Sequence, residues 1–398
     1  MQKLVENVII GAGFSGIICA IELSKAKKEV LLLERNDRVC KKIPSTGNGR
    51  GNITNLELGA CNYHGSRDFA SYAITRFNNK SLIEYFEELG VLTCAEGNKV
   101  YPASMQASSV SDMLRYKLAS TKAEVRLGYT VTSIKKVKGG YCINGEITCK
   151  NLIVCAGGQS MKNFGTDGKG YCLCRELGLR VTELYPSLVQ LKTDTNNIKG
   201  LKGVKQNARV SLLDNDREVA CFEGDLLFTD FGVSGDSVFR LSAYLSEVKN
   251  PKIRISFLPE VSKGKLKEFL INKAQKDYVI NGYLPVGVVQ NKLGAVMLKN
   301  LGINPDKKAT SESAERLAEL IKSFDLPVRG TLGFDNSQVT HGGVDCSFVD
   351  CKTMKYEGEN IYLAGEVLNV DGDCGGYNLQ WAYSSARAVA EAIVNDNN

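Results

Sequence analysis

The sequence predicts an α/β fold in which a doubly wound domain is interrupted by a β-rich segment and a helical one. Three observations carry that prediction. A short apolar run, Val8 to Ile10, stops at Gly11-Ala12-Gly13-Phe14-Ser15-Gly16, is followed by apolar residues at helical spacing, and leads to a second run, Val30 to Leu33. The middle of the chain changes to strand-like alternation and then to helical spacing. Over Ile361 to Val394 the opening pattern of strand, turn and helix returns. A chain of 398 residues has room for two or three domains of about 100 to 200 residues each.

Taken in order, the first segments make a βαβ unit, whose crossover is right-handed and whose strands are parallel. Residues 41 to 66 are polar and glycine-rich, too long for a mere connection, and read as a functional loop. Leu82, Tyr85, Phe86 and Leu89 share one helix face, and Val110, Met113, Leu114 and Leu118 another. From about 129 to 149, Gly139-Gly140 and Asn144-Gly145 supply hairpin turns for a three-stranded antiparallel meander. Leu152 to Ala156 reads as a separate buried strand closed by Gly157-Gly158. Residues 186 to 257 are strand-like, with alternation in Ala208 to Leu212 and a turn at Asp214-Asn215-Asp216. Residues 260 to 323 are helical, as in Ala314, Leu317, Ala318 and Ile321. Ile361 to Ala364 is a strand, Gly365-Glu366 a turn, and Asn378 to Val394 a helix, so the first domain is discontinuous.

Hydrophobic residues make up 43% and charged residues 24%, values that argue against disordered, fibrous and membrane classes. The net charge of +6 is mild, the lysines look dispersed, and no nucleic-acid partner is expected. The 13 cysteines include no C-x-x-C pair, which favours a reducing cytoplasm and no metal site. No export signal or membrane span is expected.

The glycine turn is the first piece of chemistry. It follows a strand and opens a helix, and Glu34 lies at the end of the next strand, the context of a dinucleotide fingerprint. Gly11 permits the turn, Gly13 removes a side chain that would collide with a pyrophosphate, and Gly16 lets helix and strand pack. The helix N-terminus then offers N–H groups to phosphate, and Glu34 can accept hydrogen bonds from a ribose diol. No second fingerprint is present. One lone N-terminal fingerprint, a meander leading to Gly157-Gly158 and a C-terminal strand and turn at Gly365-Glu366 fit FAD, an elongated dinucleotide that needs several backbone approaches.

Three segments carry a resemblance: Ser45-Thr46-Gly47-Asn48-Gly49-Arg50-Gly51-Asn52-Ile53-Thr54-Asn55, Gly342-Gly343-Val344-Asp345, and the run from Gly365 to Trp381 that contains Asp371-Gly372-Asp373-Cys374-Gly375-Gly376-Tyr377-Asn378. The chain resembles, over essentially its full length, a family of bacterial flavoproteins with aminoacetone oxidase-like and 3-dehydro-bile-acid Δ4,6-reductase-like members. The resemblance implies a glutathione-reductase-type FAD-binding Rossmann domain over 1–186 and 336–398. It also implies a β-barrel-like substrate domain over 187–258 and 325–335, and a small helical domain over 259–324. The cofactor-binding set begins with Gly11, Ala12, Gly13, Phe14, Ser15, Gly16, Glu34, Arg35 and Lys42. Gly47, Asn48, Gly49, Arg50 and Asn52 would lie along the pyrophosphate and flavin, with Val131, Ala156, Gly157 and Gly158 beside them. Gly365, Glu366, Asp373, Asn378 and Leu379 would meet the ribityl and flavin ends. Two departures stand out: the usual family cysteine after the loop arginine is Gly51, and the usually small residue before Gly342 is His341.

The predicted activity is exchange of hydride at flavin N5 with a small organic substrate held between the FAD domain and the inserted domain. That substrate is a conjugated ketone such as a 3-oxo-Δ4 steroid or bile acid, reduced with NAD(P)H as a transient donor, or an amine oxidised by oxygen. A tRNA-modifying flavoprotein and a non-catalytic flavin sensor are the alternatives. His341 suits proton transfer beside a flavin because an imidazole titrates near about 6.5, and the bare backbone of Gly342-Gly343 is expected to admit the isoalloxazine. Tyr377 is the second catalytic candidate. Cys172 and Cys174, two apart on a helix, point to different sides and read as inert. FAD is expected to be non-covalent.

Overall fold

Strand β1 (Leu4–Ile10) is buried along Val8, Ile9 and Ile10, the burial that a parallel strand covered on both faces requires. Helix α1 (Phe14–Lys25) and strand β2 (Val30–Leu33) complete the first unit of chain. In the computed structural model, which describes residues 4–396, β1 lies between β2 and the strand Ile147–Val154, parallel to both. Ile361–Leu363 adds a parallel strand beside Ile147–Val154, and Glu124–Arg126 extends the sheet beyond β2. The register aligns their ends, because Ile10 pairs with both Leu33 and Val154, and Val154 with Leu363. Glu34, Gly11, Cys155 and Ala364 therefore emerge at one level, beyond the carboxyl ends of parallel strands, where open α/β sheets bind ligands.

The meander and the strand expected at Leu152 to Ala156 are one continuous structure. Residues Ile147 to Cys149 pair antiparallel with Gly140–Ile143, which pairs with Ile134–Val137, and the same strand then runs parallel to β1. Lys150-Asn151 hides this continuity in the sequence. Asn151 is buried, and its Nδ2 donates to Asn7 Oδ1 of β1 at 2.9 Å, so its polarity is met inside the sheet. Arg67–Arg76 is a helix that the sequence did not announce, because its buried face consists of Ala70, Ala73 and Ile74. The last helix, Tyr377–Asn395, buries Ser384, Ser385, Ala386 and Ala388. These small residues bring it close to α1, where Cys19 Sγ donates to Ala386 O at 3.4 Å.

The chain divides into two compact units, Met1–Tyr185 with Gln338–Asn398, and Pro186–Ser337. The second unit is built on a closed six-stranded barrel in the order Leu191–Thr193, Gly232–Ser234, Arg217–Phe228, Lys205–Asp214, Pro251–Phe257 and Phe324–Thr331. Period-two burial of Ile253, Ile255 and Phe257 fills its interior. Asn215 and Asp216 turn the long hairpin with φ of 47° and 68°, the left-handed pair such turns favour. Between the last two barrel strands run the helices Lys263–Ala274, Asn291–Asn300 and Ser311–Lys322, and they share one apolar core with the barrel. Thr310 and Ser313 form a capping box at the third helix. No helix among the described residues is long and apolar enough to cross a membrane.

Candidate functional site

The three glycines of the first turn have different reasons to be glycine. A Cβ on Gly11, whose φ is +98°, would lie 2.5 Å from Cys155 O, and one on Gly16 would lie 1.9 Å from Gly11 O. Those two serve the packing of the chain itself. A Cβ on Gly13 would meet nothing within 4 Å, so its bareness serves no contact within the protein and leaves open room at the N-terminus of α1, which no side chain caps. Open room before an uncapped helix end fits the pyrophosphate of FAD.

Glu34 is buried and does more than the sequence suggested. Its Oε2 accepts from Ala12 N at 2.7 Å and its Oε1 from Asn36 N at 2.8 Å and Asn36 Nδ2 at 2.7 Å. The carboxylate thus holds the glycine turn as well as standing where a ribose would be read. Tyr129 N donates to Glu34 O at 2.9 Å and brings half-buried Val131 alongside. Arg35 points away, in a bidentate pair with Asp167 at 2.6 and 3.0 Å that raises the guanidinium pKa further.

A second cluster joins Lys42, Gly158, Thr340 and Glu366. Lys42 Nζ donates to Glu366 Oε2 at 3.1 Å, and Thr340 N to Glu366 Oε1 at 2.9 Å. A Cβ on Gly158 would strike Thr340 Oγ1 and Glu366 Oε1 at 2.5 and 2.6 Å. Burial holds the Tyr171 phenol well above its ordinary pKa, and its hydroxyl donates to Glu366 O at 3.0 Å. Gly365 approaches the opening turn, where its Cβ would lie 2.8 Å from Ser15 Oγ. Ala156 is half-buried in the segment between Cys155 and Gly157.

The loop 45–55 docks on the last motif. Gly47 and Asn48 take φ of 57° and 55° inside the segment Ile43–Gly49, and a Cβ on Gly47 would lie 2.8 Å from Asn52 N. Gly49 has φ +85° and more room. Gly51, φ +78°, lies so near Ala107 that a Cβ would be 2.9 Å from its Cα, so this backbone leaves no place for a cysteine. Thr54 Oγ1 donates to Gln380 Oε1 at 2.6 Å, and Asn55 Nδ2 to Gly375 O at 3.0 Å. Asn52 is buried and donates to Thr54 O and Val100 O, both at 3.0 Å. Arg50 pairs with Glu96 at 2.5 Å and lies 4.5 Å over the Tyr101 ring.

Asn378 braces the final turn by accepting from Gly372 N and donating to Gly372 O, each at 2.8 Å. Leu379 packs against the core. The Tyr377 hydroxyl donates to Glu57 O at 3.0 Å, which commits its proton to the backbone. The Gly342-Gly343 expectation needs correction. A Cβ on Gly342 would lie 2.1 Å from Glu183 O, and one on Gly343 2.7 Å from Val367 O, so these glycines admit neighbouring backbone.

Both histidines meet carboxylates of the last motif. His64 Nε2 is 3.0 Å from Asp373 Oδ1, with both side chains buried. His341 Nδ1 is 2.7 Å from Asp371 Oδ1, and its imidazole is 18% exposed while Asp371 is fully buried. Asp371 Oδ2 has no hydrogen-bond partner among the described residues. Leaving half a carboxylate unsatisfied in a buried place is costly, so His341 is the group that makes Asp371 tolerable there. The sequence reading missed Asp371; its only signal was a second acid two residues before Asp373. On the helix Lys169–Glu176, Cys172 is exposed and Cys174 buried, the latter thiol pushed up to about 12 by burial. No His, Cys, Asp and Glu cluster among the described residues could hold a metal.

Residues 5–392 match the family described as HI0933-like protein Rossmann domain. The chain is 34% identical over 402 residues to the 3-dehydro-bile acid delta(4,6)-reductase of Clostridium scindens, covering 96% of this chain and 98% of that protein. It is 30% identical over 427 residues to the ribosomal RNA dihydrouridine synthase of Haemophilus influenzae, with 99% of each chain covered. To the protein of the same name in Escherichia coli it is 29% identical over 404 residues, with 98% of each covered.

Proposed function

The chain belongs to the HI0933-like Rossmann family of oxidoreductases, and on that premise we propose that it saturates a carbon–carbon double bond conjugated to a carbonyl, with non-covalent FAD as its resident cofactor. Two differently named relatives share that one chemistry: a 3-oxo-Δ4,6 bile acid and a uracil ring both present a C=C bond conjugated to C=O, and both printed activities concern its saturated form. FAD, when bound, supplies the hydride for the carbon β to the carbonyl.

The chain itself binds, orients and handles the proton. Gly13, the N-terminus of α1 and Glu34 would hold the pyrophosphate and ribose, and Lys42 with Glu366 would stand nearer the flavin. His341 supplies the proton that must reach the substrate once the hydride has arrived. Asp371 holds Nδ1 at 2.7 Å and fixes the ring's orientation. The His341–Asp371 pair is the observation that carries the reading, since a reductase of conjugated bonds needs an acid that an amine oxidase does not. NAD(P)H is the transient electron donor and binds weakly, lacking a second glycine fingerprint to receive its pyrophosphate. The compartment is a reducing cytoplasm, in keeping with 13 free cysteines.

The favoured substrate is a small conjugated ketone of the 3-oxo-Δ4 type. A uracil within RNA is a second reading, favoured by the two relatives named for dihydrouridine in ribosomal RNA. Anaerobic flavin spectroscopy tests the reaction class. The flavin should bleach with NADH or NADPH and return to its oxidised spectrum when a conjugated enone is added. Bleaching by amines alone, with reoxidation only by oxygen, would overturn the proposal.

A further inference from the structure

We propose that residues 263–308 form a docking surface for an unpaired RNA segment, with Lys265, Lys276 and Lys307 facing phosphates and Phe269, Tyr278 and Tyr283 offering faces to bases. The inference rests on the reading of uracil in RNA as substrate, and it concerns the second compact unit alone.

Charge points to it first. Residues 263–308 hold nine lysines against Glu268, Asp277 and Asp306, a net +6, which equals the net charge of the whole chain. The rest of the sequence is balanced. The lysines look dispersed when read along the chain, but the fold gathers them. Lys265, Phe269 and Lys273 recur every fourth residue along the helix Lys263–Ala274, and Lys276 and Tyr278 follow in its exit turn.

Exposure points to it second. Phe269, Tyr278 and Tyr283 are 54%, 71% and 51% exposed. Lys263 and Lys267 are spent on Glu319 and Glu315 of the helix Ser311–Lys322. Lys265, Lys276 and Lys307 make no ion pair among the described residues.

The surface is also held in shape. Lys273 Nζ donates to Leu284 O at 3.2 Å and Val286 O at 2.6 Å, pinning the loop that carries Tyr283. Lys308 Nζ donates to Lys276 O and Asp277 O, both at 2.7 Å, pinning the backbone before Tyr278. Asn281 N donates to Lys307 O at 2.9 Å, and Lys308 forms a single bridge to Ile280, so the segments carrying Tyr278 and Tyr283 are tied to Lys307-Lys308. Exposed cations interleaved with exposed aromatic faces are the chemistry of single-stranded nucleic-acid binding, since unpaired bases stack and phosphates pair with lysine. A lipid surface fits less well, since membrane-lying helices need a continuous exposed apolar stripe. Here that stripe, Leu266, Leu270 and Ala274, is buried in the unit's own core.

The test uses the holoenzyme and a fluorescein-labelled oligouridylate of about 12 nucleotides, long enough for one such site, read by anisotropy without turnover. Binding should weaken steeply with salt. The triple variant K265A/K276A/K307A should flatten the slope of log affinity against log salt by roughly 2, at about 0.7 per phosphate contact. The pair Y278A/Y283A should weaken binding roughly 30-fold or more at an unchanged slope, as the loss of two stacked bases predicts. Absence of binding at low salt, equal affinity for a duplex, binding to phosphatidylglycerol vesicles in place of the oligonucleotide, or variants indistinguishable from the parent would each overturn the proposal. RNA bound but never reduced would leave the surface standing and remove uracil as substrate. Free uridine reduced without RNA binding would do the reverse.

Discussion

The two histidines make a natural comparison, because each is paired with a carboxylate of the same short run, His64 with Asp373 and His341 with Asp371. In the first pair both partners are sealed to a similar degree. Strand Tyr63–Gly65 pairs antiparallel with Val370–Gly372, and the His64–Asp373 contact clamps that pairing. In the second pair the carboxylate is wholly buried and the imidazole stands at the edge, 18% exposed. The same two residue types therefore give a sealed fastener in one place and, in the other, an imidazole that a buried carboxylate holds at the edge, the arrangement that our proposal asks of a proton donor. Which partner is buried decides the role.

The largest expected effect separates the two. His341→Ala should lower turnover roughly 100-fold with FAD content intact, the usual worth of a general acid, and should remove from the turnover profile the inflection that a titrating imidazole gives it. Because the alanine leaves Asp371 without its donor, His341→Gln is the companion variant. Gln keeps an amide for Oδ1 but carries no titratable proton, so it should fold normally and remain slow. Full turnover in His341→Gln would end the distinction between the pairs. His64→Ala should do the opposite, costing about 1 to 3 kcal/mol of stability for a lost charged hydrogen bond while turnover per folded molecule is kept, as a thermal melt and an assay together would reveal.

Glu34→Ala extends the comparison to a carboxylate that holds the glycine turn and that we propose also reads a ribose. It should weaken FAD by about 1 to 3 kcal/mol, and because Ala12 N loses its acceptor, the apoprotein should also melt earlier. An apoprotein of unchanged stability would mean that the Ala12 contact contributes nothing. Tyr377→Phe is the smallest. It should cost about 0.5 to 1.5 kcal/mol of stability through the bond to Glu57 O and leave the turnover profile unaltered, whereas a slow Tyr377→Phe would move the proton donor away from His341. Denaturation should release all the flavin, and colour kept by the precipitated polypeptide would show a covalent link.

Much of this was legible in the sequence where the signal is local. Gly11 and Gly16 are demanded by contacts within a few residues or by the adjacent strand, so the turn could be read without a structure. The discontinuous first domain followed from the return of the strand and helix pattern at Ile361. What escaped lies between segments distant in sequence. Asp371 stands 30 residues from the imidazole it holds, and the bareness of Gly342-Gly343 is explained only by the chains that press on it. Asn151 disguised a central strand because its partner, Asn7, lies 144 residues away. Lys265 and Lys273 come onto one helix face with Phe269 only through helical spacing, and Lys308 reaches Lys276 O only through the fold.

The interrupted first unit has a consequence for how the protein comes into being on a ribosome. Gly365, which lies against Ser15, and the helix that covers α1 both come from residues after 338. The nascent glycine turn therefore waits for residues beyond 338 before its surroundings exist, whereas Pro186–Ser337 is continuous and has everything it needs as soon as it emerges. The glycine turn is covered only after the barrel unit has been made, and a chain cut short before Ile361 would have made a complete barrel and left the turn without its cover.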